Sequence, residues 1–285
     1  MTAGAGANVS SATCFADAGA ISGPGEGRNV LTEITSRRSF VLAGMTAAAM
    51  LPAVRPSVAA SRDLVIYAEP TLRAAMRTLG RLWHSKSGMR VNSFVARSEL
   101  HFAQIERGAR CDLIFALAGD SLDEATDNKL VKSSTSVFRN SLVLVSHDMP
   151  TGPSSDVPVL LAGKKLAIAD PERDVAGSYG ATALQAAGVT VDPEGGAVAV
   201  AESSAGVLRM LSDKVAQFGV VFLSDAAPRT ELKAMSLDPA SHPEIEYVVG
   251  EAVNAQSDPR GFVDFLKTDE AKSEIRAAGL EPISN

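Results

Sequence analysis

Cysteine is nearly missing from this chain. Cys14 and Cys111 are the only two among 285 residues, and neither stands in a Cys-x-x-Cys motif. With no His-Glu-x-x-His either, the sequence supports no structural zinc and no zincin-type site, so no metal and no cofactor is expected. Positive charge is also short. The formal net charge is −6, and no basic cluster is interleaved with aromatics, which argues against nucleic acid as a partner. Histidine is limited to His84, His101, His147 and His242, scattered along the chain, so a base beside a serine or cysteine nucleophile has little support. No catalytic residue is expected. No internal repeat stands out. What is present is ordinary for a soluble globular protein: 46% hydrophobic and 21% charged residues, in a length that allows one or two domains with ample core.

The first sixty residues differ from the rest. Met1 to Thr35 is rich in Ala, Gly, Ser and Thr without hydrophobic periodicity, which predicts disorder or a true start further downstream. Ser36-Arg37-Arg38-Ser39-Phe40 then leads an apolar run to Val54 and the small-residue stretch Ser57-Val58-Ala59-Ala60. A positive n-region, an apolar core of about 15 residues and a small-x-small site describe a cleavable export signal; a membrane span needs about 20. The arginine pair with Phe40 two residues on resembles the twin-arginine signal. Cleavage near Ala60 removes Cys14 and leaves Cys111 alone, expected as a buried small hydrophobe beside Asp112.

From Leu64 strands and helices alternate. Leu64 to Ala68 reads as a strand, Glu69-Pro70 as a turn, and the segment with apolar positions at Leu72, Ala75, Met76, Leu79 and Leu82 as an amphipathic helix. Thr71 falls where that helix begins, as its expected N-cap and a seat for an anion. Further strands are expected at Arg90 to Val95, Asp112 to Ala118 and Ser141 to Ser146. After the Pro, Gly and Ser-rich interruption Pro150 to Pro158, others follow at Lys165 to Ala169, Ala197 to Ala201, Phe218 to Leu223 and Ile245 to Val249. Pro259 to Ala278 reads as one terminal helix closed by Gly279. This rhythm predicts α/β architecture with parallel sheets, whose ligands sit at strand carboxyl ends. The expected organisation is residues 1–60 as leader, 61–143 with 250–285 as one lobe, and 144–249 as the other, with a hinged cleft between.

Several segments carry a resemblance: Ile66-Tyr-Ala-Glu-Pro-Thr-Leu72, Ser93-Phe94 with Ser98, Gly108-Ala-Arg-Cys-Asp-Leu113, Asn140-Ser-Leu-Val-Leu-Val145, Asp170-Pro-Glu-Arg-Asp-Val-Ala-Gly177, Phe218-Gly-Val-Val-Phe-Leu-Ser-Asp-Ala226 and Phe262-Val-Asp-Phe-Leu-Lys267. Together they resemble the periplasmic molybdate-binding proteins of ABC importers. That resemblance implies the two-lobed type II periplasmic binding fold, each lobe a mainly parallel sheet flanked by helices. It further implies a monomer in the periplasm that captures a tetrahedral oxyanion, molybdate or tungstate, and delivers it to a membrane permease. In that family serine hydroxyls, backbone N–H groups and a tyrosine hydroxyl hold the anion.

Carried over by position, the first serine falls on Thr71. The second falls on Arg97 or Ser98, one extra residue before Gln104 leaving the choice open. The backbone donors fall on Ala176 and Ser204, and the tyrosine on Phe222, which lacks the hydroxyl. Glu69-Pro70 replaces small residues beside the first seat. Arg97 leaves three readings open: bidentate pairing with the guest, neutralisation by Glu69, or a solvated loop residue. These departures keep anion binding as the expected function and leave its identity open, another oxyanion or a small carboxylate being the alternative. An enzyme on this scaffold, with Asp170 and Glu172 as acid and base, is a second class. A third, a sensor lobe of a transcription regulator, needs a DNA-binding helix pair where the export signal stands.

Overall fold

A computed structural model describes residues 63–149, 156–192 and 194–283; the leader, the twin-arginine motif and most of the Pro150 to Pro158 interruption lie outside them. In chain order the elements are β1 (Leu64–Ala68), a 3-10 turn (Pro70–Leu72), α1 (Arg73–Ser87), β2 (Val91–Val95), α2 (Ser98–Glu106), β3 (Leu113–Leu117), α3 (Asp120–Asp127) and β4 (Val131–Arg139). Then come β5 (Leu142–Ser146), α4 (Val157–Leu161), β6 (Leu166–Ala169), α5 (Val175–Ala186), β7 (Val198–Ala201), α6 (Ser204–Ser212), β8 (Phe218–Phe222), α7 (Leu223–Ala226) and β9 (Lys233–Ser236). The chain closes with β10 (Glu246–Ala252), α8 (Arg260–Leu266), α9 (Asp269–Ala277) and β11 (Glu281–Pro282).

Two sheets result, one per lobe: β11-β4-β10-β3-β1-β2 and β7-β6-β8-β5-β9. The α/β expectation holds, but both sheets are mixed rather than mainly parallel. β1, β2 and β3 run parallel in the first, and β6, β7 and β8 in the second, whereas β10 and β5 enter antiparallel. The reason is connectivity: β5 and β10 follow the two crossings between lobes, so each enters its sheet without the crossover helix that enforces a parallel return. The expected lobe limits are corrected accordingly. A division after 143 cuts β5, and one after 249 cuts β10, which belongs to the first sheet; the chain changes sheets at 140–141 and again between Ser236 and Glu246.

The elements form for local reasons. β1 alternates Leu64, Ile66 and Ala68 into the main core with Tyr67 into a second cluster on the opposite face, so both sides of the strand are covered. α1 buries Ala75, Met76 and Leu79 and ends at Gly88, whose φ of 71° lets its N–H reach the His84 carbonyl. Cys111 is fully buried, as expected. Beside it Asp112, also fully buried, accepts hydrogen bonds from the N–H groups of Val65 (2.8 Å), Gln256 (2.7 Å) and Ser257 (3.0 Å) and from the Arg110 guanidinium (2.9 Å). It ties β1 to the segment that leads into α8.

Sequence patterning misses β4. Lys132 to Thr135 are four consecutive exposed polar residues, without alternation, yet they pair with β10. The expected single terminal helix is two, parted at Thr268, whose hydroxyl caps α9 by accepting from Ala271 N–H.

Candidate functional site

Between the two sheets lies a cleft of about 1470 Å³, and Thr71, Arg97, Ser98, Ala176, Ser204 and Phe222 all line it. Thr71 and Tyr247 bring hydroxyls to it. Thr71 is not the expected N-cap: Pro70–Leu72 form a 3-10 turn with Glu69 at its cap position, and Thr71 sits inside it. Its hydroxyl is thereby turned to the Tyr247 hydroxyl, 2.7 Å away. Tyr247 comes from β10, is fully buried and also receives a hydrogen bond from the Asn140 amide at 3.2 Å. Burial pushes the Tyr247 phenol well above its ordinary value, so it stays a neutral donor. The same Asn140 amide donates to the Ser224 hydroxyl at 2.8 Å. Asn140, at the first crossing, thus joins the floor of the first lobe to α7 of the second.

The walls are helix starts, and each meets a carboxylate. At α2, Ser98 N–H donates to the Glu69 carboxylate at 2.8 Å, and the Ser98 hydroxyl donates to the same oxygen. At α5, Asp174 accepts from Ala176 N–H at 2.9 Å and Gly177 N–H at 3.4 Å. A side chain on Gly177 would run into the carbonyls of Ala169 and Asp170, so glycine is what lets α5 start this close to β6. At α6, Ser203 caps through Gly206 N–H at 3.4 Å, while the Ser204 hydroxyl faces the Asp225 carboxylate and its N–H faces Asp174. Burial pushes the Glu69 carboxyl up to about 7, against the pull of the Ser98 bonds, with Glu99 raising it further and Arg97 lowering it. Burial likewise pushes Asp225 to about 7, opposed by Ser204 and helped by Asp174. Asp225 Oδ2 is buried without a hydrogen-bond partner. Asp174 is raised as well, again by burial first.

Arg97 is exposed, and its guanidinium donates to the Arg173 carbonyl at 3.0 Å, across the cleft from one lobe to the other. Its charge still acts on both Glu69 and Asp174, which hold a proton less tightly for it. Phe222 is buried at the end of β8 and supplies no hydroxyl. A phenolic hydroxyl is nevertheless present in the cleft lining, on Tyr247. Sequence reasoning missed Tyr247, Asn140, Ser224, Asp174 and Asp225. Asp174 carried a signal, an aspartate two residues before the Ala-Gly of a helix start; Tyr247 carried none, because its partner Thr71 is 176 residues away.

Chemically, the N–H and O–H groups of Ser98 and Ser204 and the N–H of Ala176, all at helix starts, line one cleft with the Thr71 and Tyr247 hydroxyls. That is an arrangement for holding negative charge without forming a covalent bond.

The family model for bacterial extracellular solute-binding protein matches residues 64–281. The molybdate-binding protein ModA of Escherichia coli K12 is 30% identical over 230 residues, covering 76% of this chain and 88% of the relative. ModA of Haemophilus influenzae is 24% identical over 235 residues, covering 79% and 92%. Among solved structures, the periplasmic molybdate-binding protein of Azotobacter vinelandii superposes with a TM-score of 0.66 at 19% identity, covering 78% of this chain and all of that one. The tungstate ABC transporter protein of Geobacter sulfurreducens superposes with a TM-score of 0.56 at 14% identity, covering 75% and 98%; both likenesses concern the fold.

Proposed function

This chain belongs to the bacterial extracellular solute-binding protein family, and from that premise we propose that it is the substrate-binding component of an ABC importer, capturing a tetrahedral oxyanion such as molybdate between its lobes. One observation carries the reading: the starts of α2, α5 and α6, drawn from both lobes, and the turn holding Thr71 all line a single cleft. Helix dipoles and the donors at these helix starts replace the hydration shell that the anion gives up. Thr71, Ser98, Ala176 and Ser204 are its donors, Tyr247 supplies the hydroxyl that Phe222 lacks, and Arg97 closes the mouth with a full positive charge. The lobes close as bodies about the two crossings, 140–141 and 237–245. The protein works as a monomer in the periplasm, reached by a twin-arginine signal, and delivers its cargo to a membrane permease. It is a receptor and not an enzyme.

A second reading, the same receptor for a different small anion, is favoured by Glu69 and Asp174, which already engage the Ser98 and Ala176 donors. Calorimetric titration with molybdate, tungstate, sulfate, phosphate and small carboxylates decides between the two. A tetrahedral oxyanion bound ahead of the carboxylates supports the first reading, with molybdate or tungstate its expected form; a carboxylate bound ahead of the oxyanions supports the second. Heat from none of them sinks both. Cell fractionation that leaves the protein in the cytoplasm removes the importer role.

A further inference from the structure

The Glu69 carboxylate makes the contacts that an oxyanion at this cleft is expected to make. It takes the backbone N–H and the hydroxyl of Ser98 together, at the start of the nine-residue helix α2. It comes from a residue 29 positions earlier in the chain, by way of the turn that also carries Thr71. Asp174 does something similar at α5, but it is tethered two residues from Ala176 and is the helix's own cap. Glu69 has no such tether.

Resting on the receptor reading above, we propose that Glu69 is a built-in occupant of the Ser98 donors, and that an incoming oxyanion displaces it while the displaced carboxylate takes up one proton from water. The proton is required by what surrounds Glu69. Glu99 stands next to Ser98 on α2, and Asp174 and Asp225 face the cleft from the start of α5 and from α7; Arg73 and Arg77 of α1, Arg173 and Arg229 also line the cleft, but the cation whose charge acts on Glu69 is Arg97. Tyr247 from β10 stays neutral, and burial holds the imidazole of His101, behind Ser98 on α2, below its ordinary value. A dianion set beside an ionised Glu69 in that company meets a like charge at close range, and two such charges sharing a site do not both stay ionised. Protonated, Glu69 turns from competitor into donor. The burial that already pushes its carboxyl up to about 7 makes that proton accessible near neutral pH. Glu69 therefore sets both the affinity and the pH range of capture.

The test is titration of the purified protein with molybdate, and in parallel with sulfate, which carries no proton itself near neutral pH. It is run from about pH 6.5 to about pH 8.5 in two buffers of unlike ionisation heat. Above about pH 7 the affinity is expected to fall by up to about tenfold per pH unit, with close to one proton taken up per anion for whichever anion binds. Glu69→Gln keeps an acceptor for Ser98 without the charge, and Glu69→Ala is the second variant should the first fold poorly. Either is expected to bind with a nearly flat pH profile, and about tenfold or more tightly than the parent at about pH 8.5. Binding by the parent without linked protons overturns the proposal and leaves the receptor reading standing. So does a slope kept in both Glu69 variants, or one lost in Asp225→Asn instead. Binding by the variants but not by the parent supports the proposal; binding of neither anion by any of them overturns it together with the oxyanion reading on which it rests.

Discussion

The two lobes hold their segments with different mixes of near and distant partners. In the first, carboxylates act over long sequence distances: Glu69 reaches Ser98 at the cleft, and Asp112, away from the cleft lining, reaches Val65 on one side and Gln256 and Ser257 on the other. In the second, caps within two or three residues are added, Asp174 on Ala176 and Gly177 and Ser203 on Gly206, while Asp174 and Asp225 also reach Ser204 from further along the chain. A local cap fixes a helix to its own loop. A distant one makes the helix start depend on another element, and so ties the shape of the site to the fold around it.

The largest break in this contrast is expected at Asp112. Replacing it with alanine leaves three backbone N–H groups without their acceptor in a fully buried place and takes from Arg110 its carboxylate partner, though the guanidinium keeps the Asp63 carbonyl and the Ser257 hydroxyl. A loss of about 3–5 kcal/mol is expected, by analogy with breaking a buried ion pair. Urea unfolding of Asp112→Ala beside the parent measures it; a loss below about 1 kcal/mol would show that the long-range carboxylate is decorative.

Next in size is a pH dependence that separates the other long-range carboxylate from the rest. The folded protein holds the Glu69 proton more tightly than the unfolded chain does, so this contribution is greatest at low pH. It declines as pH rises from 4.5 to about 7 and is level above that. Asp225 adds a decline of the same sign, from 3.8 to about 7. For Glu69 the span is on the order of 2–3 kcal/mol, and Glu69→Gln is expected to remove that part of the profile while leaving the Asp225 part. Thermal melts at a series of pH values read it, and a parent whose stability rises across that window contradicts the assignment.

The same contrast explains what the sequence told and what it did not. The helix starts that carry Ser98, Ala176 and Ser204 are legible locally, since a helix start after a strand is written in adjacent residues, whereas their place in the cleft is what the family resemblance implies, with Ser98 left as one of two choices beside Arg97. Thr71 was placed there too, but its hydroxyl turned away from the helix because Tyr247 stood 176 residues on. The acceptor at Ser98 was unreadable for a like reason: nothing in Arg97-Ser98-Glu99 points back to Glu69. β4 was missed because its polar run owes its extended form to pairing with β10. Long-range partners, and the antiparallel entries they create, are set by the crossings between lobes and leave no periodic trace.

The smallest effect sharpens the local side. Asp174 caps α5, yet its carboxyl is raised, because burial outweighs the backbone amides of Gly177, Ala176 and Ser204 and the pull of Arg97. Geometry and charge therefore act against each other at this residue, and two substitutions separate them. Asp174→Ala removes the acceptor and is expected to cost about 1 kcal/mol. Asp174→Asn keeps an oxygen for Ala176 N–H while discarding the buried charge, and is expected to fall within about 0.5 kcal/mol of the parent near neutral pH. Urea midpoints of the two variants at one pH make the comparison. If Asn costs as much as Ala, the charge is what steadies α5, and the second lobe then relies on the same electrostatics as the first, only over a shorter stretch of chain.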